Sequence, residues 1–94
     1  MAKRIMLHPI YKRKFERDFK RVKKRGKDVE KLETVITDLV EEKPLDKKYL
    51  DHPLKGEYAD CRECHIEPDW LLIYMVDGEE IIFIRTGTHA DLFR

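Results

Sequence analysis

The sequence predicts an α+β domain in which two N-terminal helices pack on one face of a twisted, mostly antiparallel sheet of about four strands. Two observations carry this prediction: the N-terminal half has two amphipathic helical patterns, and the C-terminal half has three short runs rich in β-forming residues. A third is length, since 94 residues form one domain with a modest core. The expected order is β-α-α-β-β-β, in a single domain spanning residues 1–94.

The first expected strand covers residues 4–8. Pro9 then lies where a helix can begin, because the first helical position does not need the missing N–H. An apolar stripe at spacings of four, four and three residues predicts the first helix, which Gly26 is expected to end. The stripe consists of Tyr11, Phe15, Phe19 and Val22.

A second helix is expected between Asp28, which is placed to cap it, and Lys43-Pro44, which is placed to stop it. The apolar residues between these limits again recur at helical spacing. They are Val29, Leu32, Val35, Ile36, Leu39 and Val40. Both helices therefore present one apolar face, and the sheet is the surface available to bury it.

Residues 44–57 combine two prolines, a glycine and many charges, and are expected to form a loop. Asp77-Gly78 between the last two β-forming runs is typical of a hairpin turn. These two runs are apolar at nearly every position, so both faces of the sheet are expected to be at least partly covered. The three runs are 58–66, 70–76 and 80–86, and a short helical turn is expected at 88–94.

Charge is distributed unevenly along a chain whose net charge is only +1. Residues 12–27 contain ten Lys or Arg and two acids, a local net charge of +8, whereas the remainder has a net charge of −7. A basic face of this kind can contact a phosphate backbone or an acidic partner. A solvated helix face explains the same charges equally well.

The N-terminal residues lack an apolar stretch of signal-peptide length, and no run is long enough to span a membrane. We therefore expect a cytoplasmic location, no membrane contact and reduced cysteines.

Cys61-Arg62-Glu63-Cys64-His65 matches the C-x-x-C-H pattern of c-type haem attachment, but that attachment follows export. In a strand, cysteines three residues apart point to opposite faces, which suits neither a shared metal nor a disulfide. We expect no metal and no cofactor.

Three of the four histidines lie in the C-terminal half, together with a carboxylate and an arginine. Phe83 and Arg85 are expected to share a face of the last strand, along a line that points toward His89. Imidazoles accept and donate protons near neutral pH, and a guanidinium pairs with phosphate. This combination suits metal-free RNA cleavage, in which the 2′-OH is deprotonated and the 5′-oxygen protonated. For each histidine alone, the alternative is an ordinary surface or loop residue.

Three longer segments carry a family resemblance: DHPLKGEY at 51–58, RECHIEPDWLLIY at 62–74 and FIRTGTHADLF at 83–93. With these segments, the chain from about Phe15 onward resembles the YafQ-type toxins of the RelE/ParE superfamily. The resemblance implies a RelE-like fold and the activity of a ribosome-dependent mRNA endoribonuclease, which a cognate antitoxin from the same operon neutralises. The alternative is a non-catalytic, ParE-like toxin that inhibits another target by binding it.

The resemblance also implies the catalytic positions, which are His52, His65, Asp69, Arg85, His89 and Phe93. By analogy, His89 is the general acid, and His65 or Asp69 is the base, with His52 orienting or sharing that role. Arg85 would bind the scissile phosphate. Phe93 would stack on a nucleotide; its alternative is a plug in the core.

The expected partners are the cognate antitoxin, mRNA in the ribosomal A site and the surrounding ribosomal RNA, with promoter DNA bound only through the antitoxin complex. The basic first helix would contribute contacts that do not depend on sequence. The residues expected to make them are Lys12, Arg13, Arg17, Lys20, Arg21, Lys23 and Lys24. The same bases would also suit an acidic antitoxin segment.

Overall fold

The computed structural model describes residues 6–93 and confirms the α+β class. A five-stranded sheet has the order β1-β5-β4-β3-β2, with β1 parallel to β5 and the other pairs antiparallel. The strands are β1 (His8–Tyr11), β2 (His52–Pro53), β3 (Arg62–Glu67), β4 (Trp70–Asp77) and β5 (Glu80–Gly87), and the helices are α1 (Arg13–Lys24), α2 (Val29–Val40) and α3 (His89–Leu92). The additional strand is β2, a two-residue element inside the segment expected to be a loop. None of the helices within residues 6–93 is long and apolar enough to cross a membrane.

The first strand lies later in the chain than expected, at His8–Tyr11, and residues 4 and 5 of the expected strand lie outside the described part. Pro9 is therefore inside a strand and not at the start of a helix. A proline is tolerated there because β1 is an edge strand, which needs only one row of backbone hydrogen bonds. Tyr11 also belongs to β1, and its ring stacks on Phe83 at 5.3 Å between centroids.

The two long helices otherwise follow their patterns. In α1, Phe15 and Val22 are buried, and Gly26 adopts a φ of +86° just after the helix. Asp28 caps α2 as predicted, accepting a hydrogen bond from the Glu30 N–H at 3.1 Å. The buried residues of α2 are Leu32, Val35, Ile36 and Leu39.

Both faces of the sheet are covered, as the apolar strands predict. The face toward α1 and α2 forms the larger cluster, which includes Leu32, Phe83 and Trp70. On the opposite face, a smaller cluster contains Leu71, Ile73 and Leu92 of α3. It is completed by Leu54, Tyr58, Cys61 and Ile84. The first of the three β-forming runs, expected at 58–66, becomes a strand only at Arg62, because Tyr58 ends a short 3-10 turn at Gly56–Tyr58.

A β-bulge in β5 makes one expectation wrong. Tyr74 pairs with Phe83 and Ile73 pairs with Arg85, so Ile84 is an extra residue. Phe83 packs in the helix-side cluster, whereas Arg85 lies opposite Ile73, whose side chain packs on the other face. Phe83 and Arg85 therefore do not share a face.

The cap of α2 provides a test of the fold. Asp28→Ala removes the acceptor for the Glu30 N–H, so we expect the free energy of unfolding in urea to fall by about 1 kcal/mol. Glu33→Ala, at an exposed position of the same helix, is the matched control and should change it by less than about 0.5 kcal/mol. Equal losses for the two variants would contradict the capping role.

Candidate active site

Three histidines from three elements form a row on one side of the sheet. His52 lies on β2, His65 on β3 and His89 at the start of α3. Ring centroids are 6.1 Å apart between His52 and His65, and 5.9 Å apart between His65 and His89. Phe93 extends the row, 6.5 Å from His89. The structure thus brings together four of the six residues proposed from the sequence, and the remaining two contact this row or border it.

The orientation of His89 is determined by Asp69, which follows β3 in the turn before β4. Oδ1 of Asp69 accepts the backbone N–H of His89 at 2.9 Å and lies 2.6 Å from Nδ1 of its imidazole. These two hydrogen bonds lower the pKa of the Asp69 carboxyl below its ordinary value. Nδ1 is therefore occupied, and Nε2 is the nitrogen available to a substrate.

The backbone of α3 is stabilised by its own cap. Thr88 and Asp91 form a capping box in which each side chain accepts the other residue's backbone N–H. Gly87 permits this arrangement, since a Cβ at that position would lie 2.8 Å from Oδ2 of Asp91. Asp91 also forms ion pairs with Arg25, at 2.8 Å, and Arg21, at 3.3 Å, which join α3 to α1.

Glu63 is a site residue that the sequence reasoning missed. Its side chain is buried, and Oε2 lies 3.1 Å from Nε2 of His52 and 3.4 Å from Nε2 of His65. Nδ1 of His52 is 2.6 Å from the carbonyl oxygen of Leu50 and must donate to it, because a carbonyl only accepts. Nδ1 of His52 is thus engaged by the backbone, and its Nε2 is the nitrogen that faces the Glu63 carboxylate. The alternation of β3 does give a signal for Glu63, which shares a face with His65.

His52, Glu63 and His65 also have the composition of a metal site. One ligand atom from each lies within 4.8 Å of the other two. Two imidazoles and a carboxylate suit zinc or copper. Either ion would need the carboxylate and both ring nitrogens that bind it to be deprotonated.

The segment that contains His52 is attached to the sheet by its neighbour. Asp51 accepts hydrogen bonds from the Tyr74 hydroxyl and, at 2.8 Å, from Nε of Arg62. Burial and the contact with Asp51 raise the pKa of the Tyr74 hydroxyl above its ordinary value. Tyr74 is thus a core residue with a polar end that fixes the position of the His52 segment.

Arg85 is bound by a carboxylate from α1. Asp18, only 1% exposed, accepts Nε of Arg85 at 2.6 Å and Nη2 at 3.1 Å, and it also accepts the Thr86 N–H at 3.1 Å. The hydrogen bond to Asp18 raises the pKa of the Arg85 guanidinium. Sequence reasoning counted Asp18 as one acid in a basic helix. Asp18 lies three residues after Phe15 and four before Val22, which is the spacing of the buried face of α1. That position predicts a buried side chain.

Phe93 is 44% exposed, so it is not a plug in the core. Its ring contacts the edge of Tyr58 at 6.0 Å between centroids. Tyr58 also contacts Arg85, where it raises the pKa of the guanidinium further. The aromatic pair therefore lies between the arginine and the row of histidines.

These features coincide with a family match over nearly the whole chain. Residues 7–94 match the model described as the bacterial toxin of type II toxin–antitoxin system, YafQ. The chain belongs to the YafQ family. The expected membership and the expected fold are both confirmed.

Relatives of this YafQ-family chain agree with it over most of their length. "mRNA interferase toxin YafQ" of Escherichia coli K12 is 44% identical over 84 residues, which cover 88% of this chain and 91% of the relative. The E. coli DinJ–YafQ complex superposes with a TM-score of 0.88 at 42% identity, covering 94% of this chain and 99% of the other. A structure titled as a metal-bound toxin from Helicobacter pylori has a TM-score of 0.87 at 42% identity, covering 94% and 100%.

The cysteines of this YafQ-family chain lie apart from the site chemistry. Cys64 is fully buried in the helix-side cluster, whereas Cys61 packs against the cluster on the opposite face. Burial raises the pKa of the Cys64 thiol. Both thiols are free and lie on opposite faces of the sheet, where they fill apolar space.

The basic residues proposed to bind RNA are all exposed, and most have no carboxylate partner. Arg21 is the exception, since it pairs with Asp18 at 2.9 Å and with Asp91. The ion pairs found within the described part of the chain do not involve the others. These are Lys12, Arg13, Arg17, Lys20, Lys23 and Lys24. Helix α1 thus presents unpaired positive charge next to the elements that carry Arg85 and His89.

The role of Asp18 can be tested with a nearly isosteric change. Asp18→Asn removes the charge that pairs with Arg85, so we expect the free energy of unfolding to fall by about 2–4 kcal/mol. The Nε–H resonance of Arg85 should also lose its protection from exchange with water. Glu16→Gln on the exposed side of α1 is the control, and a similar result for both variants would contradict a specific role.

Proposed function

We propose that this chain is an endoribonuclease toxin that cleaves translated mRNA on the ribosome, without a metal cofactor, until its antitoxin neutralises it. The observation that supports this most is the row of three imidazoles, in which each outer histidine contacts a carboxylate: Glu63 at one end and Asp69 at the other. The name of the E. coli relative, an mRNA interferase toxin, supports the same substrate. The reaction is attack of a ribose 2′-oxygen on the adjacent phosphorus, with loss of the 5′-oxygen.

In this reaction His89 is the general acid. Asp69 occupies Nδ1, so the proton given to the leaving 5′-oxygen comes from Nε2. The neighbouring carboxylate also stabilises the imidazolium before transfer. His89 is exposed, which allows an RNA strand to reach it.

The proton of the 2′-OH passes to the cluster of His52, Glu63 and His65. Asp69 is a poor base for this step, because its Oδ1 already accepts two hydrogen bonds and its pKa is lowered. In contrast, Glu63 contacts both imidazoles, and a proton taken by His65 can be shared through the carboxylate with His52. We therefore propose His65 as the base, with His52 and Glu63 in contact beside it.

Arg85 and Phe93 bind the substrate. Asp18 uses Nε and one N–H of Nη2, and Tyr58 also contacts the guanidinium, so the N–H groups left over would meet the negative charge that develops on the phosphorane. The exposed ring of Phe93 stacks on a base, a contact worth about 1–3 kcal/mol.

The basic surface of α1 contacts ribosomal RNA around the decoding site, and these contacts account for most of the affinity. The same charges favour an acidic antitoxin segment. Support for an antitoxin partner comes from the E. coli relative, whose structure was solved as a complex with DinJ. Binding of the antitoxin would compete with ribosome binding if both use α1.

Removing the general acid tests the catalytic proposal. We expect His89→Ala to lower cleavage of translated mRNA by at least about 100-fold, because proton transfer to the leaving group is lost. Mapping of 5′ ends in cells that express each variant measures this. His8→Ala, an exposed histidine on β1, is the matched control. Activity of His89→Ala within about threefold of wild type would remove His89 from the mechanism, and growth arrest with intact mRNA would favour a binding-only toxin.

Reversing charge on α1 tests the ribosome contact separately. Lys20→Glu combined with Lys24→Glu should weaken association with ribosomes at 0.15 M salt by about tenfold or more, since both phosphate contacts become repulsive. Co-sedimentation over a series of salt concentrations measures the effect. Lys43→Glu combined with Lys47→Glu changes the net charge equally at positions away from α1. Equal binding by both double variants would show that α1 is merely solvated.

A further inference from the structure

A cleft lies beside the histidine row, between α2, the 3-10 turn Lys47–Tyr49 and the outer edge of β3. It has a volume of about 650 Å³. The cleft exists because β2 pairs only with Arg62 and Glu63, so the rest of β3 has no strand partner on that side within residues 6–93. Sites for small ligands commonly have volumes of about 300–1,000 Å³, a range that accommodates one nucleotide.

The cleft is continuous with the proposed base cluster. His65 contributes to both, since it contacts Glu63 and also lines the cleft. Leu50, on the opposite wall, accepts the Nδ1 proton of His52 through its carbonyl group. A ligand in the cleft would therefore lie next to both histidines that receive the 2′-OH proton.

The apolar part of the wall is exposed at an energetic cost. Leu50 is 59% exposed and has a φ of +50°, a conformation that leucine rarely adopts. Tyr49, half-buried beside it, offers an aromatic ring, and Pro68 lies across the cleft. An apolar side chain kept in solvent by a strained backbone is expected where it contacts a ligand, and flat apolar surfaces suit the face of a nucleobase.

The charged part of the wall is positive. Nζ of Lys48 lies 5.2 Å from the centre of the Tyr49 ring, and the ion pairs of the described chain do not include this lysine. Glu67 is the acid of the cleft, but Lys27 and Lys31 both bind it, at 3.0 and 2.9 Å. One carboxylate is thus shared by two ammonium groups, and the excess positive charge complements a phosphate.

We propose that this cleft binds the nucleotide next to the scissile linkage, with its base against Tyr49 and Leu50 and its phosphate at Lys48. The proposal rests on the RNA cleavage proposed above and names a substrate-binding subsite for it. Binding there places the ribose-phosphate chain beside His65. It also links recognition of a neighbouring base to the segment that positions His52.

The direct test titrates the protein with a trinucleotide RNA whose 2′-oxygens are methylated, so that it binds without being cut. Chemical shifts in NMR spectra are expected to change at residues 48–50 as well as at His65 and His89. Lys48→Gln should raise the dissociation constant about threefold to tenfold, and Leu50→Asn similarly, since asparagine accepts a positive φ but removes the apolar surface. Lys47→Gln, on the same turn but outside the cleft, is the matched control and should leave the dissociation constant unchanged.

Ribosome-dependent cleavage gives the second readout. Loss of a subsite that binds substrate and transition state equally raises KM and leaves kcat unchanged.

Shifts restricted to His65, His89 and Phe93, with Lys48→Gln and Leu50→Asn behaving as wild type, would overturn the subsite and leave the cleavage proposal intact. If Lys47→Gln and Lys48→Gln weaken RNA binding equally, the effect is general electrostatic attraction and the subsite is overturned. Variants that keep RNA binding but escape antitoxin would instead assign the cleft to a protein partner. A wild-type protein that neither binds nor cuts RNA would overturn both proposals.

Discussion

A single buried carboxylate, Asp18, connects the basic helix to the strand that carries the arginine. Beyond Phe83, β5 has no β1 residue beside it, because β1 ends at Tyr11 and the chain turns into α1. The Thr86 N–H would remain unpaired at this edge, and Asp18 accepts it. The same carboxylate binds Arg85, so one side chain both completes the hydrogen bonding of the sheet edge and orients the guanidinium. The surface proposed to meet ribosomal RNA and the group proposed to meet the scissile phosphate are consequently parts of one rigid unit.

The carboxylates of the site divide the histidines into two chemical roles. Asp69 is exposed, and hydrogen bonds from His89 lower the pKa of its carboxyl, so it remains charged beside that imidazole. Glu63 is buried, and one of its oxygens lies within 3.1 Å of His52 and 3.4 Å of His65. One end of the row therefore sets an exposed imidazole against an exposed carboxylate, and the other sets two imidazoles against a buried one. This asymmetry is what acid–base cleavage of a phosphodiester requires.

Local patterns were sufficient for most of the fold. The apolar stripes of α1 from Phe15 and of α2, the Asp28 cap, the Asp77-Gly78 hairpin and the covering of both sheet faces depend on neighbours in the chain, so local patterns reveal them. Pairings between distant strands do not leave such a pattern. The parallel partner of β1 explains Pro9 in a strand, and the bulge at Ile84 reverses the expected side of Arg85. The family motifs named six site residues. Asp18 and Glu63 were missed for two reasons. Their contacts are with residues far along the chain, and a charged residue type does not itself predict that its side chain is buried.

The segment before β3 shows how strain and chemistry coincide. Leu50 adopts a positive φ, and this turn directs its carbonyl toward His52 while leaving its side chain in solvent. Asp51 then binds Tyr74 and Arg62, so the sheet compensates the cost of the conformation two residues from the imidazole. A relaxed Leu50 would lose the hydrogen bond between its carbonyl and the His52 ring. The strained turn thus fixes the position of His52 as well as the shape of the adjoining cleft.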